Sequence, residues 1–205
     1  MVQRLRREGR KIERLSFPEY DSPTGRIVGG PYLGKTHIGD GFFPEGAANV
    51  DPKVAALYYA ADRRYNRQKI LDLLNDGIDV VIDRYVESNM GHQGGKIFDK
   101  EERLKLYEDL ANLEYGFLEL PKPDLTIFLY VPYKKVAELR SGRREAADQQ
   151  ESSPMHIRNA EHAYLELVDL HGYKKIDCVD KKGKLRDIEE IQEEIYKIVE
   201  NELNI

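Results

Sequence analysis

The sequence has little of several things, and each shortage excludes a class. There is one cysteine, Cys178, so no internal disulfide can form and a reducing cytoplasm is the expected compartment. Cys178 itself reads as a small strand residue rather than a nucleophile. No stretch approaches the roughly 20 consecutive apolar residues that span a bilayer, so no membrane contact is expected. Residues 1–14 are densely charged with no apolar run behind them, unlike a signal peptide. There is no repeat at fixed period and no low-complexity tract. Positive charge is not in excess either. The 32 Lys and Arg face 37 Asp and Glu, and the net charge of -5 argues against a nucleic-acid partner.

What is present is a chain of 205 residues, 40% hydrophobic and 34% charged with both signs interspersed, which suits one α/β domain with one sizeable core. Asp51-Pro52 opens a helix, a capping carboxylate followed by proline at the first helical position. Val54, Leu57, Tyr58, Ala61, Tyr65 and Leu71 then recur at helical spacing until Gly77 closes an element expected over 51–76. Ile78, Val80, Val81 and Ile82 form a near-continuous apolar run, the pattern of a parallel strand covered on both faces. Further strands are expected at 11–16, 125–131 and 173–178. Helices are expected at 99–116, 134–141, 154–171 and from 187 onward. Residues 20–50, rich in Gly, Pro, Thr and Asp, read as a long functional loop. Strands alternating with amphipathic helices predict an α/β fold with a doubly wound parallel sheet, whose ligands bind outside the carboxyl ends of the strands.

The site is therefore expected directly after Ile82. There stand Asp83-Arg84-Tyr85, then Ser88-Asn89 and His92-Gln93. Arginine grips phosphate oxygens through a planar fork, and a carboxylate can orient metal-bound water, so this group suits a magnesium-phosphate ligand. Taken alone, the same letters also describe a surface Asp–Arg ion pair.

Four segments in register decide more than any one of them. They are Phe17-Pro18-Glu19-Tyr20, Leu57-Tyr58-Tyr59-Ala60-Ala61-Asp62-Arg63, Asp83-Arg84-Tyr85-x-x-Ser88-Asn89, and Leu120-Pro121-Lys122-Pro123-Asp124-Leu125. Together they resemble the thymidylate kinases, which phosphorylate dTMP to dTDP, over essentially the whole chain. The resemblance implies the P-loop nucleoside monophosphate kinase fold, ATP as donor and Mg2+ as cofactor. It places Tyr59 on the thymine ring, and Arg63 and Arg84 on the dTMP phosphate. Asp83 falls near the magnesium, through water, and the acceptor phosphate. Ser88, Asn89 and Gln93 fall among the substrate-binding residues, and Tyr20 where a ring crowds the sugar 2′ position. His92 stands where the family usually has Tyr or Phe, and a structural role is its alternative. Arg140, Arg143 and Arg144 lie in a stretch of about 140–153 that looks like the family's lid, with Arg143 and Arg144 as catalytic cations. The turn 178–186 corresponds to a region that touches adenine. The helix over 51–76 resembles a dimer surface, which implies a homodimer.

The family's donor loop, Gly-x-x-x-x-Gly-Lys-Ser/Thr between a first strand and a first helix, is expected ahead of the segment that begins at Met1. Nothing before Phe17 fits it. The first, central strand and the loop are thus expected to be absent from these 205 residues, which are expected to turn over ATP and dTMP poorly. Gly29-Gly30-Pro31-Tyr32-Leu33-Gly34-Lys35-Thr36 satisfies the pattern letter for letter. It neither follows a good strand nor opens a helical period, so Lys35 is not expected to touch ATP. Two further readings stand: a kinase for another nucleoside monophosphate, and a non-catalytic nucleotide-binding protein that takes dTMP without ATP.

Overall fold

Ile12–Ser16 (β1) and Asp79–Asp83 (β2) pair in parallel, with Leu15 opposite Ile82 and Ser16 opposite Asp83. Ile127–Tyr130 (β3) and Lys174–Asp177 (β4) do the same, Leu129 opposite Ile176. These pairings come from a computed structural model of the chain, which describes residues 1–140, 150 and 153–203. The helices are Val2–Arg7 (α1), Pro23–Ile27 (α2), Pro52–Tyr65 (α3), Arg67–Asn75 (α4), Val86–Gly94 (α5), Lys100–Ala111 (α6), Tyr133–Arg140 (α7), Pro154–His171 (α8) and Ile188–Leu203 (α9). The α/β class and the parallel strands are as the sequence predicts.

The single doubly wound sheet is not continuous. Among the described residues it is two separate two-stranded sheets, β1–β2 and β3–β4. Each strand therefore has one hydrogen-bonded neighbour. This explains a second departure: β2 was expected to be covered on both faces, yet Val80, Val81 and Ile82 are only half-buried, and Leu129 in β3 is 48% exposed. The deepest core lies under β1 instead, where Leu15 and Phe17 pack with Ala56, Ile70, Val86, Met90 and Leu106.

The helix expected over 51–76 is broken. Asp51 caps α3 as predicted, accepting from Lys53 N and Val54 N at 2.8 and 3.1 Å. At Asn66 the side-chain amide turns back to the Asp62 carbonyl at 2.9 Å and to its carboxylate at 3.0 Å, and α4 starts afresh. Such competition with the backbone is why asparagine ends helices.

The stretch 20–50 is more ordered than its composition suggests. Ser22 caps α2 by accepting from Gly25 N at 3.0 Å, and the chain continues as a π-helical turn, Val28–Tyr32. Tyr32, Leu33, Ala47 and Val50 then make a small core of their own against Ala55, Tyr58 and Tyr59. Lys96 anchors it, donating to Tyr32 Oη, Ala47 O and Val50 O at 3.3, 3.0 and 2.9 Å. The Gly29–Thr36 match thus begins on a helical turn that follows a helix, not on a loop leaving a strand.

Sequence periodicity missed α5, which contains Gly91 and Gly94 and is followed by Gly95. Their smallness is used. A Cβ on Gly91 would lie 2.6 Å from the Tyr164 ring, and one on Gly95 would lie 2.7 Å from the backbone nitrogen of Ala160. Helix propensity yields here to the close approach of α8.

Candidate active site

Arg84 is the first residue past β2. Its φ of 63° is a left-handed backbone conformation that is costly for a residue with a Cβ. Tyr164, Tyr59, Asp83 and Tyr20 surround its guanidinium, while its open side remains exposed to solvent. Burial among these groups works against the charge. Their electrostatic contribution more than offsets it, so the pKa stays above the ordinary arginine value. The result is a permanent, partly exposed cation at the carboxyl end of β2, the kind of group that binds an anion.

Tyr59 projects from α3 into the same region. Its ring meets Tyr32 edge-on at 5.6 Å, and its hydroxyl donates to Gln150 Oε1 at 3.3 Å. Gln150 Nε2 in turn donates to Tyr32 Oη at 2.8 Å. Tyr20 is half-buried, with the Lys35 ammonium 5.3 Å from its ring centre. Its segment is tied down by Asp62, fully inside the protein. The Asp62 carboxylate accepts from Glu19 N at 2.9 Å, Ser22 Oγ at 3.0 Å and Thr24 Oγ1 at 2.8 Å, besides Asn66.

The α5 helix carries the remaining polar groups. Asn89 Nδ2 donates to Ala56 O at 3.1 Å and to Glu114 Oε1 at 2.9 Å. Its Oδ1, although buried, has no partner among the described residues, and neither amide atom of fully buried Gln93 has one. Residues 89 and 93 are one turn apart on one helix face. Unpaired buried amides are costly, so these two acceptors and one donor call for polar partners. Ser88 contributes its carbonyl oxygen, which accepts from Tyr164 Oη at 3.4 Å. His92 Nε2 lies 3.1 Å from Arg84 Nη1.

Arg63 differs from expectation. It is 2% exposed, and its Nε and Nη2 are both closed on the fully buried carboxylate of Glu114. Burial works against this charge and the Glu114 carboxylate restores it, leaving the pKa raised. The Nε–Nη2 edge is thus taken by a carboxylate, and through this shared partner Arg63 supports the Asn89 amide. Asp83 is exposed and paired with Arg14 at 2.7 Å, so its ion pair is with β1 and not with the adjacent Arg84. Arg140 closes α7, whereas Arg143 and Arg144 lie outside the described residues.

Among the described residues no cluster of three or more His, Cys, Asp or Glu side chains is arranged to hold a metal. A single accessible carboxylate such as Asp83, paired here with Arg14, is the sort of ligand that suits magnesium, which keeps several waters and completes its shell with substrate phosphates.

The sequence model of the thymidylate kinase family matches residues 1–195. The chain belongs to the thymidylate kinase family. It is 33% identical over 131 residues to a probable thymidylate kinase of Pyrobaculum aerophilum, covering 63% of this chain and 62% of that one. It is 31% identical over 115 residues to the thymidylate kinase of Dictyostelium discoideum, covering 56% of this chain and 42% of the relative. It thus spans less than two thirds of the length of either. The solved thymidylate kinase of Candida albicans, 23% identical, superposes with a TM-score of 0.67 over 99% of this chain and 85% of its own. That likeness shows the fold of the family, and it holds although the two sheets here have only two strands each. No helix among the described residues is long and apolar enough to cross a membrane.

Four residues around the site escaped sequence reasoning: Asp62, Glu114, Gln150 and His156. Asp62 stood inside one of the four segments without a role of its own, and Glu114 carried a signal as a carboxylate set between Leu113 and Tyr115 in an otherwise apolar segment.

Proposed function

We propose that the chain binds dTMP beside Arg84, at the carboxyl end of β2, as acceptor of the γ-phosphoryl group of ATP, giving dTDP. The observation that carries this reading is the pairing of two features within one strand–helix unit. One is an arginine held in a strained backbone at the carboxyl end of β2; the other is the buried amide set of Asn89 and Gln93 with atoms unpaired among the described residues. The first suits a phosphate monoester; in the second, the Gln93 amide can accept from the ring N–H of a pyrimidine and donate to one carbonyl oxygen beside it. Tyr59 supplies the aromatic face and Tyr20 the wall on the sugar side.

In this reading the residues act by orientation and charge. Arg84 fixes the acceptor phosphate in line and neutralises charge as it develops. No general base is needed, because the second pKa of a phosphate monoester is about 6 and the acceptor oxygen is already ionised near neutral pH. Magnesium, when bound, would be held by Asp83 through water together with nucleotide phosphates, and would neutralise phosphate oxygens.

A second reading, a nucleotide binder without a working donor site, is favoured by the helical setting of Gly29–Thr36. Calorimetry on the 205-residue chain separates the two and tests both. The expected result is dTMP bound at least about tenfold more tightly than thymidine, with weak ATP binding and slow turnover. Equal affinity for dTMP and thymidine would remove the phosphate role of Arg84. Brisk ATP-dependent turnover would restore Lys35 as a donor-site residue. Preference for dUMP or dGMP over dTMP would move the acceptor to another nucleotide.

We infer likewise that two copies pair through α2 and α3. Ile27, Val54 and Leu57, which are 45, 42 and 56% exposed, line a groove of about 390 Å³ together with Tyr58 and Ala61. Sedimentation of the wild type and of Leu57→Glu tests this, the variant being expected as a monomer.

A further inference from the structure

We propose that His92 and His156 form a tautomer-locked relay that orients Arg84 toward the acceptor phosphate, with both histidines acting as positioning residues. The proposal rests on the phosphate role of Arg84 just given. Its starting point is that a guanidinium only donates. Arg84 Nη1 lies 3.1 Å from His92 Nε2, so that nitrogen must offer its lone pair. The proton of His92 is then on Nδ1, which stands 3.2 Å from His156 Nε2. His156 must accept there, since the reverse direction would require His92 to accept at both nitrogens, as an imidazolate. Its own proton is therefore on Nδ1. One arrangement of protons satisfies the whole chain, with both rings neutral.

The ring geometry agrees. The two imidazoles are nearly parallel, 9° apart, with centres 5.4 Å apart. Combined with the 3.2 Å nitrogen contact, this sets them edge to edge, as an N–H···N bond requires, and not face to face. Tyr164 closes on His92 edge-on at 5.7 Å, and His156 is buried and caps onto Ser153 through its backbone at 3.3 Å. The relay is thus fixed at its far end by α8. It runs through α5 and takes up one guanidinium nitrogen of a residue whose backbone is already strained. The other guanidinium nitrogens stay available for phosphate oxygens. An aromatic ring at position 92 could pack against Tyr164 but could not accept from Arg84, so this chain uses hydrogen bonding where a bare ring would only fill space.

The test has a spectroscopic arm and a binding arm. In ¹⁵N-labelled protein at about pH 8, the imidazole resonances of His92 and His156, assigned by their loss in His92→Phe and His156→Phe, are expected to show the Nδ1–H tautomer. An Nε2–H tautomer or an imidazolium at either residue overturns the relay. In calorimetry, His92→Phe is expected to weaken dTMP about tenfold and to leave thymidine unchanged. His92→Gln, which accepts through Oε1 and donates through Nε2, is expected to restore most of the loss. An unchanged dTMP affinity in His92→Phe, or an equal loss for thymidine, overturns the positioning role. If the wild type itself binds dTMP no better than thymidine, the failure lies in the phosphate reading of Arg84, and the positioning role falls with it.

Discussion

Replacing Glu114 by alanine should cost far more than deleting one hydrogen-bonding side chain. Glu114 is fully buried and takes both Nε and Nη2 of Arg63, itself 2% exposed, together with the Nδ2 of Asn89. In Glu114→Ala a guanidinium is left in the interior without its counter-charge, which costs about 3–5 kcal/mol. The Asn89 amide keeps only its bond to the Ala56 carbonyl. With a urea slope of about 2–3 kcal/mol per molar, the unfolding midpoint should fall by about 1–2.5 M. A Glu114→Leu, Arg63→Met double replacement removes both charges and refills the space, so it should be much milder than either single change. Urea titration of wild type, Glu114→Leu, Arg63→Met and the double replacement, followed by circular dichroism, gives the coupling energy, expected at about 3 kcal/mol. A Glu114→Ala loss below about 1 kcal/mol, or additive single effects, would refute the claim that the pair is dry and mutually dependent.

What was legible in the sequence was what is decided locally. The capped start at Asp51-Pro52, the stop at Gly77 with its φ of 67°, and the apolar runs of β2 and β3 are all written in neighbouring residues. So is the succession of Arg84, Asn89 and Gln93 behind the end of one strand, which is read directly from the order of residues after Ile82. The illegible part is set by distant contacts. Arg63 reads as a phosphate ligand from its motif, but a carboxylate 51 positions away occupies it. The break at Asn66 depends on whether Asp62 turns inward to bind Ser22 and Thr24, which periodicity cannot register. Helix α5 was hidden by glycines whose value appears only when α8 lies against them. The coverage of β2 failed for a related reason: an apolar run reports a strand's capacity for burial, and the neighbours that realise it must be found in space.

Two more perturbations test the supports of the site. Asp62→Ala removes the common acceptor of Glu19 N, Ser22 Oγ, Thr24 Oγ1 and Asn66 Nδ2, so it should destabilise by about 2–4 kcal/mol and weaken dTMP binding by freeing the Tyr20 segment. Unchanged calorimetric affinity with a lowered urea midpoint would show that Tyr20 is held by other contacts. Lys96 makes the opposite kind of prediction, a gain of stability with alkali. Burial lowers its pKa from 10.5 to about 8, the Asp51 charge opposing the shift only in part. Between those two values the unfolded chain keeps a proton that the folded chain has released, so stability rises with pH across that window and the penalty on the charged form is fully present below it. The gain attributable to Lys96 is about 2 kcal/mol between roughly pH 7.5 and 9.5. Lys96→Met should show no such gain, and the difference between the two proteins in urea midpoints at these two pH values isolates the residue from every other titrating group. Parallel pH profiles for wild type and variant would mean that the three oxygens around the ammonium, Tyr32 Oη, Ala47 O and Val50 O, compensate its burial in full.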